Sequence, residues 1–96
     1  MSVTATSLQP AAPRPAVATA RFRLRALSDP SALPRVLELF ALRNLVPESV
    51  RCERHENGEE LRIDVEVGGL GEQEAAHLAR RFRTFPVVTG VLLRRD

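Results

Sequence analysis

The chain has 96 residues and one cysteine, with 44% hydrophobic and 27% charged residues. This length suits one small domain, and the composition is that of an ordinary globular protein. A single cysteine excludes a disulfide framework or a thiolate metal cluster within one chain. No apolar run is long enough to span a bilayer and no secretory signal is recognisable, so we expect a cytoplasmic protein that does not bind membranes.

The charge balance argues against a polyanion-binding protein. All 14 basic residues are arginines, yet the formal net charge is only +2, because residues 21–96 carry 13 arginines and 12 acidic residues. The four aromatic residues are phenylalanines, and they do not form the strand motif on which RNA-binding proteins stack bases. Nucleic acid is therefore not an expected partner.

The first 20 residues differ in composition from the rest. They are rich in Ala, Pro, Ser and Thr, and their prolines oppose regular helix, so we interpret residues 1–20 as a disordered tail. Residues 21–96 are expected to form one domain. Its core is modest at this size, which favours an oligomer. Alternation from Arg21 to Leu27 predicts a first strand with Phe22 and Leu24 facing inward.

The next segment predicts a helix. Ser31 is the expected N-cap, Pro34 is tolerated because it lies in the first turn, and Asn44 suits the C-terminal end. Helical spacing predicts the inward face, which consists of Leu33, Val36, Leu37 and Phe40.

Two strands are predicted next, at residues 50–54 and 61–67, and the Asn57-Gly58 pair between them indicates a hairpin. The glycines at 68, 69 and 71 are expected to end the second of these strands. Residues 72–85 predict a second helix, which Pro86 ends, and residues 87–94 predict a final strand. The predicted buried face of this helix consists of Ala75, Leu78, Ala79 and Phe82.

The order βαββαβ predicts a ferredoxin-like α+β sandwich, in which a four-stranded antiparallel sheet carries two helices on one face. The first and third strands are expected to be central neighbours, so their charged residues share the open face of the sheet. These residues are Arg21, Arg23, Arg25, Arg62, Asp64 and Glu66. We interpret this face as solvated and partly neutralised by cross-strand pairs, with an anion-binding face as the alternative.

Residues with catalytic or metal-binding chemistry are few. Cys52 lacks a CxxC partner and is interpreted as a small buried hydrophobic residue. His55 is expected to be solvated and His77 to lie on an exposed or boundary face of the second helix. The glycines at 68–71 lack the spacing of a dinucleotide-binding loop. We therefore expect no catalytic residue, no metal and no cofactor, with a small acylphosphatase-like enzyme as a minor alternative.

The loop before the first helix, residues 28–33, is the place best suited to a ligand. A helix N-terminus offers unpaired N–H groups and a partial positive charge, which suit a carboxylate. Arg35 lies in the first helical turn, either as a solvated residue or as a supplement to an anion site.

These segments resemble ACT domains, which are small amino-acid-sensing regulatory modules. The resemblance is carried by residues 29–37, 43–50, 75–82 and 87–91, and it covers roughly residues 20–95. The most similar subtype is the short, single-domain small subunit of acetolactate synthase.

The resemblance implies a regulatory, non-catalytic protein. It implies a homodimer through side-by-side sheets, a large thiamine-diphosphate-dependent catalytic subunit as partner, and a valine-like effector bound between the first loop of one copy and the second-strand entry of the other. The implied effector-binding residues are Asp29, Pro30, Ser31, Ala32, Leu33, Arg35, Val46, Pro47, Glu48 and Ser49. A stand-alone amino-acid-binding module that serves another enzyme is the alternative.

Two regions depart from the family pattern. Ser31 and Ala32 stand where the family usually has Gly, and their side chains narrow the space for an effector backbone. Asn44 replaces a usual Gly, and Val46 replaces a frequent Asn whose amide could bind a ligand.

Overall fold

A computed structural model describes residues 18–95. In chain order the elements are β1 (Ala18–Leu27), α1 (Ala32–Leu42), β2 (Ser49–Arg54), β3 (Glu60–Leu70), α2 (Glu72–Arg83) and β4 (Val88–Arg95). The strands form one antiparallel sheet in the order β2-β3-β1-β4. The predicted ferredoxin-like fold is confirmed, including the central position of the first and third strands.

The start of β1 differs from the expected domain boundary. The strand begins at Ala18, so residues 18–20 of the expected tail belong to the sheet, and Ala20 is fully buried. The other residues of that tail, 1–17, lie outside the described part of the chain. Beyond Ala20 the strand alternates as predicted, with Phe22 and Leu24 buried and the arginines between them exposed.

The core lies between one face of the sheet and both helices. Three phenylalanines meet at its centre, with ring centroids 5.5 Å apart for Phe22 and Phe40 and 5.4 Å apart for Phe40 and Phe82. The predicted inward face of α2 is confirmed, because its four residues are all buried. Every buried side chain within residues 19–95 is apolar.

The buried face of α1 is turned relative to the prediction. Val36 and Phe40 are buried, but Leu33 and Leu37 are only half-buried, and Leu39 takes a place in the core. Because leucines lie on both sides of the predicted face, helical spacing admits two orientations, and packing against the sheet selects one.

The turns and helix ends confirm some predictions and correct others. Asn44 has φ 62°, the left-handed conformation expected after α1. Ser31 does precede α1, but its side chain makes no capping hydrogen bond to the helix. The prediction that glycines end β3 was wrong, because the strand continues to Leu70. Gly69 has φ 80° there, beside an irregularity in the register of β1.

The hairpin between β2 and β3 is confirmed, with a loop at residues 55–59. Only Gly58 in this loop has a positive φ, 75°, so the two-residue type I′ turn that Asn-Gly favours is not formed. Asn57 instead accepts a hydrogen bond from the amide of Glu59 at 2.8 Å.

Candidate effector site and sheet edge

The loop between β1 and α1 is held by Asp29. Its Oδ1 atom accepts hydrogen bonds from the Ser31 hydroxyl at 2.7 Å and from the Ser31 amide at 2.8 Å. These hydrogen bonds, with a smaller contribution from the Arg35 charge, hold the pKa of Asp29 below its usual value. The Ala32 amide donates to the Asp29 carbonyl oxygen at 2.9 Å. The first donors at this helix N-terminus are therefore engaged by the chain itself.

The entry to β2 forms the other half of the expected effector site. Val46 is 84% exposed, and Pro47 is half-buried. The Glu48 amide donates to the carbonyl oxygen of Glu66 at 2.7 Å, which ties this segment to β3. The Glu48 carboxylate lies against Gly68, in the space that a side chain at that position would occupy.

One copy of the chain does not bring the two halves of the expected site together. Leu27, which precedes the loop, pairs with Glu60 of β3, whereas Ser49 at the β2 entry pairs with Glu66. Residues 60 and 66 are separated by about 20 Å along an extended strand. The loop residues 29–33 and the entry residues 46–49 therefore lie at opposite ends of the sheet.

The strand β2 is exposed along its whole length. Its residues Val50 and Cys52 pair with Val65 and Ile63 of β3, which are buried, so they lie on the helix side of the sheet but extend beyond the helices. The prediction that Cys52 is buried was wrong, since it is an exposed free thiol. Partial desolvation nevertheless raises its pKa. With one valine and one cysteine among its six residues, the strand gives no local signal of how far the helices cover it.

Exposed apolar residues are concentrated in the segment of the chain that leads into this edge strand. Three of the five exposed large hydrophobic residues in the described chain lie between the end of α1 and β2. They are Leu42, Val46 and Val50, exposed by 75%, 84% and 42%. Exposed edge strands and exposed apolar residues are both features of surfaces that pair with another chain.

Cross-strand ion pairs cover the open face of the sheet. Arg23 donates to Asp64 at 2.8 Å, and Arg21 lies 3.4 Å from Glu66, as the predicted neutralisation requires. Arg62 bridges Asp64 at 3.4 Å and Glu53 at 3.3 Å. A shallow groove of about 480 Å³ crosses this face. It includes Ser49 of the expected effector site but no residue of the β1–α1 loop.

The other residues with potential chemistry remain apart. His55 is exposed, and His77 is half-buried on α2, both as predicted. Within residues 18–95 no three His, Cys, Asp or Glu side chains are grouped as metal ligands. The same part of the chain contains no helix with the length and hydropathy to cross a membrane.

These features define a small α+β module with a free edge strand and without a grouped set of reactive side chains in the described residues. A family model described as an ACT-like domain matches residues 13–96, and the chain belongs to the ACT-like domain family. ACT domains are regulatory, non-catalytic modules that bind amino acids and occur in enzymes. No curated protein matches the sequence.

Solved structures share this fold at low sequence identity. The C-terminal domain of MgtC from Mycobacterium tuberculosis is 11% identical, with a TM-score of 0.67, over 88% of this chain and 94% of that one. The ACT domain of GTP pyrophosphokinase from Chlorobium tepidum is 9% identical, with a TM-score of 0.70, over 84% and 90%. A homoserine dehydrogenase from Thiobacillus denitrificans is 17% identical, with a TM-score of 0.66, over 82% of this chain but 17% of the dehydrogenase.

Proposed function

We propose that the chain is a cytoplasmic regulatory subunit that forms a homodimer and controls acetolactate synthase. In this proposal two sheets join edge to edge through β2, and amino-acid effectors bind between the copies. The thiamine-diphosphate chemistry belongs to the large catalytic subunit. The observation that carries the proposal is the separation of the two halves of the effector site in one copy.

An antiparallel second copy removes that separation. When two β2 strands run antiparallel, the β2 entry of one copy lies at the end of the sheet where the other copy has its β1–α1 loop. Residues 46–49 of one copy and 29–33 of the other are then at the same end of one continuous sheet. Each dimer has two such places, related by its two-fold axis.

The exposure of Val50 on β2 supports the same arrangement. Edge-to-edge pairing satisfies backbone groups that β2 leaves open, and it brings a second copy beside Val50. Burial of apolar surface stabilises association by about 25 cal/mol per Å², less the cost of ordering the two copies.

The dimer is tested by comparing Val50→Lys with Leu92→Lys. Both replace an exposed apolar residue by a cation, at 42% and 53% exposure, but Val50 lies on β2 and Leu92 on β4. We expect light scattering to show a dimer for the wild type and for Leu92→Lys, and a monomer for Val50→Lys. A wild-type monomer, or equal effects of the two substitutions, contradicts the proposal.

The regulatory role is tested with the large subunit of acetolactate synthase from the same source. We expect the wild-type chain to raise the rate of acetolactate formation and Leu92→Lys to do so equally, while Val50→Lys loses the effect. An unchanged rate after addition of the wild type, with no complex on gel filtration, contradicts acetolactate synthase as the partner.

A second candidate is an amino-acid-binding module that serves another enzyme. The similar domain in a homoserine dehydrogenase supports this candidate. Thermal shift against the standard amino acids separates the two, because a ligand at 100 times its Kd adds about 2.7 kcal/mol of stability. A strong response to an amino acid other than valine, without activation of acetolactate synthase, favours the second candidate.

A further inference from the structure

We propose that the two β2 strands pair in one register, with Cys52 opposite the same residue of the second copy and Arg51 opposite Glu53. This inference rests on the proposed dimer and names the residues that join its sheets.

The backbone of β2 restricts the possible registers. His55, the residue after β2, donates its N–H to the carbonyl oxygen of Glu60 at 2.8 Å, and this hydrogen-bonded pair continues the register in which Arg54 lies opposite Leu61. Because hydrogen-bonded pairs alternate along an antiparallel ladder, odd-numbered residues of β2 bond to β3. Even-numbered residues turn their N–H and C=O groups to the free edge. These residues are Val50, Cys52 and Arg54.

A two-fold axis perpendicular to the sheet puts the open faces of both copies on the same side. Residues that lie opposite each other across the two β2 strands must then face the same side of the sheet, so both have even numbers or both have odd numbers. Pairing centred on Cys52 places Val50 opposite Arg54 and Cys52 opposite itself. All three edge-facing residues then have a partner within the strands. If the register shifts so that the two-fold axis passes through Arg51 or through Glu53, one of the three edge-facing residues has no partner in the second β2.

Charge on the open face selects the same register. Centred on Cys52, the pairing puts Arg51 opposite Glu53 on both sides of the axis. The two slipped registers put Arg51 opposite Arg51, or Glu53 opposite Glu53. Opposite charges across strands stabilise a sheet, and like charges destabilise it.

Arg51 is available for this contact. It pairs in register with Asp64, but that carboxylate is bound by Arg23 and Arg62. Within residues 18–95, Arg51 has no carboxylate partner. A second copy supplies one through Glu53, which keeps its own contact with Arg62 because a carboxylate accepts several hydrogen bonds.

The other free edge does not offer this complementarity. The strand β4 contains no acidic residue and carries Arg94 and Arg95 near its end, so self-pairing there leaves these charges without carboxylates from the second β4.

On the helix side of β2, Arg54 donates to the Gly58 carbonyl oxygen at 3.2 Å. Its aliphatic stem is then placed to cover Val50 of the second copy.

The register is read by isotope-filtered NMR on a dimer of one labelled and one unlabelled chain. Residues 51 and 53 form a non-hydrogen-bonded pair across the proposed interface, where Cα atoms approach to about 4.5 Å. We expect an intermolecular Hα–Hα contact between Arg51 and Glu53. A contact of Arg51 or of Glu53 with itself overturns the register while the dimer stands, and a dimer without contacts at β2 overturns the edge. A monomer overturns the proposed function as well.

The charge contribution is tested by Arg51→Gln and Glu53→Gln, with Arg94→Gln as the matched control on β4. Each of the first two removes two cross-strand ion pairs per dimer, so we expect the dimer dissociation constant to rise by about tenfold. We expect Arg94→Gln to leave it unchanged, and added salt to reduce the difference. Equal dissociation constants for Arg51→Gln and Arg94→Gln overturn the assignment of Arg51.

Discussion

Replacing Phe82 with alanine tests how far the fold depends on its central aromatic cluster. The Phe82 ring is fully buried, and its centroid lies 5.8 Å from Phe22, 5.4 Å from Phe40 and 5.8 Å from Phe85. Truncating a buried phenylalanine costs about 3–5 kcal/mol through lost transfer energy and the cavity left behind. A domain of this size has about 5–12 kcal/mol of stability in total. We therefore expect Phe82→Ala to lower Tm by about 15–30 °C.

The assay is urea and thermal unfolding followed by far-ultraviolet circular dichroism, because the chain has no Trp or Tyr for fluorescence. Phe85→Ala is the matched control. Phe85 is half-buried and its ring contacts only Phe82 among the described aromatic pairs. We expect Phe85→Ala to cost about 1–2 kcal/mol. Equal losses of unfolding free energy for the two variants refute the argument that Phe82, through its contacts with Phe22 of β1 and Phe40 of α1, holds both helices on the sheet.

Two further predictions concern Gly69 near the end of β3 and Asp29 in the β1–α1 loop. Gly69→Ala is expected to destabilise the chain by about 1 kcal/mol, because φ 80° is unfavourable for a residue with a Cβ. Gly71 has φ −72° and open space around it, so Gly71→Ala is expected to leave the free energy of unfolding nearly unchanged. Equal urea midpoints for Gly69→Ala and Gly71→Ala contradict this reasoning. The pKa of Asp29 is lowered from 3.8, so its stabilising contribution is present above this pH and is lost as the pH falls below it. Asp29→Asn should make Tm less dependent on pH in this acid range, and identical pH profiles contradict the role of the Ser31 hydrogen bonds.

Much of the fold follows from local patterns in the sequence. The alternation from Arg21 to Leu27 placed Phe22 and Leu24 in the core, because successive residues of a strand face opposite sides. The spacing from Ala75 to Phe82 identified the buried face of α2, since only one side of that helix is apolar. In α1 the pattern was ambiguous, because leucines surround the apolar stripe.

Other features depended on where each element lies in the assembled sheet. A strand of six residues with one valine and one cysteine does not reveal whether a helix covers it, so Cys52 was expected to be buried and is exposed. The glycines after Val67 were interpreted as the end of a strand, yet pairing with β1 continues it to Leu70.

The amino-acid sequence by itself determined the element order, the inward residues of β1 and α2, and the family that these segments resemble, because short-range periodicity and turn chemistry are local. Only the tertiary structure decided that Val50 and Cys52 of β2 are exposed, that Arg51 lacks a carboxylate within residues 18–95, and that residues 29–33 and 46–49 lie at opposite ends of the sheet. These properties depend on which strands are neighbours, and neighbours in a sheet are set by packing between residues distant in sequence.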